Sequence, residues 1–201
     1  MKNSQLSRRQ VLKGAGAIGV LGAIGIPTTV FAGGTRVRWD IISVNFTPPA
    51  SLSAGGKASA HANDGSMITL TGSGTFQGSG DDDAVTGGGM WWTFDPGATS
   101  ASATGTYKVK RFVSWEPAPG SPPLPVDHIG DRSDESAGLA VLQIRYSDGK
   151  RGVLTLSCQL VGTSLAVFEG ITATKGYVDY FDREDPMPGV DGNRTNFHIL
   201  D

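Results

Sequence analysis

The stretch GLAVLQIRYSDGKRGVLTLSCQL, residues 138 to 160, decides the fold class. Its first half alternates: Ala140, Leu142, Ile144 and Tyr146 share one face of an extended strand. Its second half places Leu154, Leu156, Cys158 and Leu160 on one face in the same way. Ser147, Asp148 and Gly149 separate the halves, and such a cluster reads as a hairpin loop. Loop length then fixes the register. A two-residue Asp148-Gly149 turn would pair Ile144 with Val153 and put the two apolar rows on opposite faces. A three-residue loop pairs Tyr146 with Lys150 and Leu142 with Leu154, so the rows coincide. Gly149 would then take the left-handed position that closes the loop. The three-residue loop is the expectation, with Cys158 as a small buried hydrophobe in an apolar row.

The same pattern repeats outward from this hairpin. Short β-branched and aromatic runs lie near 36–46, 66–76, 88–94, 104–115, 164–174 and 176–181, separated by Gly, Pro, Asp and Ser clusters. Together with 138–146 and 151–160 they predict an all-β domain, a single antiparallel β-barrel of about eight strands. A two-sheet β-sandwich is the alternative. The Gly-rich stretches within it read as strand bends, bulges or close-packing points. The longest break, 116–137, carries prolines and charges that argue for a surface loop over one end. The tail 182–201 reads as irregular.

The beginning of the chain is different. SRRQVLK, residues 7 to 13, is followed by an uncharged Gly- and Ala-rich run to about Val30. That run is roughly 17 residues, short and weakly apolar for a membrane span. With Val30-Phe31-Ala32 beyond it, the layout is that of a secretory signal cleaved after Ala32. The heptapeptide resembles the twin-arginine translocation signal of bacteria, with Arg8 and Arg9 as the recognised pair and Val11 where Phe is usual. The resemblance implies a partner, the twin-arginine translocase, and export to the periplasm, cell surface or medium after folding. Residues 33–201 would be the β-barrel domain.

Composition narrows the function. Beyond residue 32 the chain has 13 basic and 19 acidic residues, a net charge of −6. That balance lacks the basic footprint of a nucleic-acid binder. No later segment is apolar enough for a transmembrane helix. Cys158 is the single cysteine, so no intramolecular disulfide can form. No cofactor is identified.

Strand parity nominates a site. In 104–115, Tyr107, Val109, Arg111, Val113 and Trp115 share a face. In 164–174, Leu165, Val167, Glu169, Ile171 and Ala173 do. Arg111 and Glu169 thus stand in apolar rows, where a lone charge must pair or neutralise. They would form a structural pair, or anchor a ligand; alternatively a bulge turns Glu169 outward. Trp91 and Trp92 occupy successive positions, so one points in and one out, and Trp92 joins the candidates. His61, His128 and His198 stand far apart and offer no short metal-ligand spacing, so no metal site is expected. The acidic clusters Asp81–Asp83 and Asp127, Asp131, Asp134, Glu135 lack EF-hand spacing and read as solvated loops.

GSGTF, GGGMWWTF, GTYKV and VFEGITATKG resemble segments of small exported bacterial β domains. In strand number, length and Gly-rich strands the body also distantly resembles the allene oxide cyclase and dirigent barrel. That resemblance implies eight antiparallel strands around an apolar cavity and carries over no catalytic residue. Three functions follow as expectations: a binding module for a small apolar or amphipathic ligand, a cyclase- or isomerase-like enzyme using the cavity, or an envelope or surface interaction protein without one.

Overall fold

The computed structural model describes residues 35–77, 84–122 and 125–200. Arg8, Arg9, Ala32 and Asp81–Asp83 lie outside the described residues. The strands are β1 (Arg36–Asn45), β2 (Ser51–Ala54), β3 (Ala58–His61), β4 (Met67–Leu70), β5 (Ser73–Gln77), β6 (Gly88–Phe94), β7 (Ala103–Ala118), β8 (Val126–Asp127), β9 (Glu135–Tyr146), β10 (Arg151–Cys158), β11 (Gly170–Lys175), β12 (Val178–Tyr180), β13 (Asp182–Arg183) and β14 (Gly189–Leu200). Six of them, β1, β5, β6, β7, β9 and β14, close an antiparallel barrel through successive neighbours. Beyond the ring, β10, β11 and β12 extend from β9, and β4, β3 and β13 extend from β6. β2 adds to the second half of β1, and β8 pairs with β2 in parallel.

The central hairpin has the register its apolar rows require. Leu142 faces Leu154, Ala140 faces Leu156 and Arg145 faces Arg151. The Tyr146 N–H donates to the Lys150 carbonyl at 2.9 Å, and Gly149 sits at φ 86°. Leu142, Ile144, Leu154, Leu156 and Cys158 are buried, each large aliphatic contributing roughly 2 kcal/mol by leaving water. The main core continues with Trp39, Phe76, Trp91, Tyr107, Phe112 and Phe197 and fills the interior with side chains. Gly74 and Gly87 lie flat against the Trp39 indole; a Cβ at either would come within 2.8 Å of the ring. A smaller cluster of Ile42, Val44 and Leu52 stands apart on the other face of β1.

Four expectations are corrected. The count of eight strands merges and omits segments: 66–76 breaks at Thr71-Gly72 into β4 and β5, which both pair with β6 but whose other partners are β3 and β1. Residues 164–169 are turn, not strand, and Leu165 is 93 % exposed, so β11 begins only at Gly170. The segment 116–137 is not one surface loop. Its beginning extends β7, its middle forms β8 and a single 3-10 turn at Arg132–Asp134, and its end starts β9. The tail is ordered structure: β14 is long, largely buried and sits between β1 and β9. Its Gly, Asp and Asn residues suggest a loop, but Thr195, Phe197 and Ile199 alternate as a strand should. The intervening Asn196 and His198 are polar and buried too, which hides the alternation.

Candidate functional site

On β1, Val37, Trp39 and Ile41 face the main core, so Arg38, Asp40, Ile42 and Val44 face the other way. Register sets β14 beside them: Arg38 opposite His198, Asp40 opposite Asn196, Ile42 opposite Arg194. Glu135, at the start of β9, stands opposite His198 on the other side. The segment carrying β8 brings Asp127 to the same face. Arg38, Asp40, Asp127, Glu135 and His198, from four separate strands, therefore meet on the face of β1 that points away from the main core.

Arg38 clamps Asp40 with two hydrogen bonds, Nε to Oδ2 at 2.7 Å and Nη2 to Oδ1 at 3.1 Å. Asp40 is wholly buried, and burial holds its carboxyl above the usual range despite the guanidinium. Asp127 accepts the backbone N–H groups of Ile129 and Gly130 at Oδ1, and its Oδ2 lies 2.5 Å from His198 Nε2. The two side chains of that pair are 2 % and 0 % exposed. Glu135 is also buried, and among the described residues neither of its carboxyl oxygens has a hydrogen-bond partner. Burial first, then the neighbouring Asp127 charge and a proton that the two carboxyls can share, push its carboxyl up to about 7.

Beside this cluster lies a pocket of about 250 Å³. Ile42, Val44, Phe46, Leu52, Leu160 and Val161 form its apolar wall; Glu135, Glu169, Arg194 and Asn196 supply the polar groups. Glu169 is inward, as its parity suggests, although its segment is not a strand. Its carboxyl accepts the backbone N–H groups of Gln159 and Thr195, both at 2.7 Å. Those bonds and the nearby Arg194 favour the charged form, yet burial outweighs them and pushes Glu169 up to about 7. Cys158 also lines the pocket; burial raises its thiol well above the ordinary value, so it is not a poised nucleophile.

The other sequence candidates do not converge here. Arg111 is exposed on the outer face of β7. Two register shifts against β9, between Val109 and Arg111 and between Phe112 and Ser114, each reset the strand's parity. Tyr107, Val109 and Phe112 are therefore inward, while Arg111 and Val113 are outward. The guanidinium on the Glu169 pocket is that of Arg194. Tyr107 is a buried core residue whose hydroxyl donates to the Thr71 carbonyl at 2.8 Å. Trp115 packs against Phe76 and Phe197, with centroids 5.7 and 4.5 Å away. Trp91 is buried; Trp92 is half-buried beneath the Lys57 ammonium. His61 pairs with Glu184 near the surface. Asp131 is exposed and Asp134 half-buried, but the side chains of Asp127 and Glu135 are buried.

A second feature is an exposed cationic face. Lys108 of β7 stands opposite Arg145 of β9, which stands opposite Arg151 of β10. With Lys110, the two arginines line a broad open groove of about 590 Å³.

Comparison with family models, curated proteins and solved structures finds no match. The functional reading is therefore carried by the geometry.

Proposed function

We propose that this chain is an exported binding module for a small amphipathic ligand, seated in the pocket between β1, β2, β10 and β14. The observation that supports it most is the pocket's composition: a continuous apolar wall with Glu169, Arg194 and Glu135 at its polar end. Sites for small molecules are apolar concavities with a few fixed polar groups. At about 250 Å³ the pocket falls below the ~300–1,000 Å³ of drug-sized sites, so the ligand is small. Glu169 and Arg194 would hold its hydroxyl, amine or carbonyl head, and Ile42, Val44 and Leu52 its apolar body. The main core is filled by its own aromatic residues, so the ligand would lie beside it rather than in the barrel centre.

The test is fragment binding followed by backbone amide chemical shifts. Small amphipathic fragments should move the signals of Val44, Leu160 and Thr195, and Val44→Trp should abolish those shifts by filling the pocket. Shifts scattered over the surface, or undiminished in Val44→Trp, would sink the reading. Export is supported by SRRQVLK alone; replacing Arg8 and Arg9 together by lysine should leave the protein in the cytoplasm.

A second reading, a cyclase- or isomerase-like enzyme, is supported by Glu135 and Glu169. Both carboxyls are pushed up to about 7, and a general acid or base works best with a pKa near the working pH. Turnover of a bound fragment, lost in Glu169→Gln with binding retained, would favour it over the module.

A further inference from the structure

The charges at the foot of the pocket do not balance pairwise. Arg38 is taken by Asp40. Asp127 is taken by His198 and by the two N–H groups of the turn after it. As a carboxylate, Glu135 is left with two buried oxygens and no donor among the described residues; its acidic neighbour Asp127 can pair with it only across a shared proton. A buried carboxylate in that state is costly unless a proton or a cation neutralises it. What surrounds it favours a cation. The ligating atoms of Asp127, Glu135 and His198 lie within 4.8 Å of one another. They come from β8, β9 and β14, so the fold brings them together.

We propose that Asp127, Glu135 and His198 bind one first-row divalent cation, with zinc the best match. One imidazole and two carboxylates form a borderline nitrogen and oxygen set, which suits zinc and its neighbours rather than soft copper(I). The donors are held from behind. Ile129 and Gly130 fix the Asp127 carboxylate, and Gly130 lies against the His198 ring, where an added Cβ would come within 2.8 Å. The ion would replace the direct Asp127–His198 hydrogen bond and satisfy the unpartnered Glu135 oxygens together. Three protein donors leave a further coordination position, and Glu135 also lines the pocket, so that position would open toward it. The proposal stands whether or not the pocket holds the ligand suggested above.

The experiment is titration of EDTA-treated protein with cobalt(II), read by visible absorption, and with zinc, read by native mass spectrometry and thermal melting. All samples carry His61→Gln, which removes the exposed His61–Glu184 pair as a competing site. One equivalent should bind, with cobalt bands of a protein-ligated ion and a raised melting temperature. Glu135→Gln should weaken binding about tenfold or more, as even supporting groups around metal sites do. Because that change removes a buried charge at constant shape, the variant should melt in EDTA no lower than its parent. Glu116→Gln, a change of an exposed carboxylate on β7, should bind the metal as the parent does. Absence of stoichiometric uptake at micromolar metal would overturn the proposal and leave a proton as the neutralising partner of Glu135. Undiminished uptake by Glu135→Gln would overturn it equally.

Discussion

The acidic corner and the cationic face hold charges of opposite sign under opposite rules. On the outer face, Lys108, Arg145 and Arg151 stand directly opposite one another across three strands. Like charges in that arrangement repel, but water screens them and the penalty is small. In the corner, Asp40, Asp127, Glu135 and Glu169 have left water. There each charge needs a named partner or a shifted protonation state, and the structure supplies both. The lesson is that a charge cluster is informative in proportion to its burial. The cationic row is the more exposed, yet the corner constrains the chemistry far more.

The largest expected effect tests the burial side of that contrast. Glu169→Ala would strand the buried N–H groups of Gln159 and Thr195, costing about 2–4 kcal/mol in urea unfolding. A loss within the ordinary surface range would mean that water enters the pocket freely. The pH dependence is similar in size. Glu169 binds its proton more tightly in the folded state than in the unfolded chain. Its stabilising contribution is therefore complete below its ordinary value of 4.5 and is lost as pH rises through about 7. At 1.36 kcal/mol per unit this amounts to roughly 3 kcal/mol, and Glu135 acts in the same direction. Denaturant midpoints measured in EDTA from pH 5 to 8.5 should fall, and Glu169→Gln should flatten about half of the decline, Glu135 carrying the rest. A flat profile for the parent would contradict the burial argument. The smallest effect belongs to the exposed face. Arg145→Gln relieves two like-charge neighbours and should stabilise by about 0.2–0.5 kcal/mol at low salt, vanishing in high salt. A large change of either sign would mean that the face is not simply solvated.

Much of the scaffold was legible before any coordinates. The hairpin register followed from two apolar rows and one three-residue loop, because a slip by one residue would have turned every leucine to water. The in-and-out placement of Trp91 and Trp92 followed from the same period. The site was legible only in part. Glu169 stood out as a carboxylate in an apolar row. Arg111 misled because bulges are set by packing against β9, and a one-residue bulge inverts the parity of everything after it. Asp127, Glu135 and His198 left no local signal. Each sits in a segment that reads as loop, and they lie up to 71 positions apart.

The sequence by itself determined the antiparallel β class, the Ser147-Asp148-Gly149 turn, the central register and the burial of Cys158. These depend on period, turn chemistry and apolar alternation, all of which act over a few residues. Only the tertiary structure decided that the tail becomes a buried strand and that Arg194, not Arg111, shares the pocket with Glu169. It also decided that two acids and a histidine from distant segments share one dry corner. Those outcomes depend on which strands become neighbours. Neighbourhood is fixed by closing the barrel around a single core, a condition on the whole chain that no short window of sequence contains.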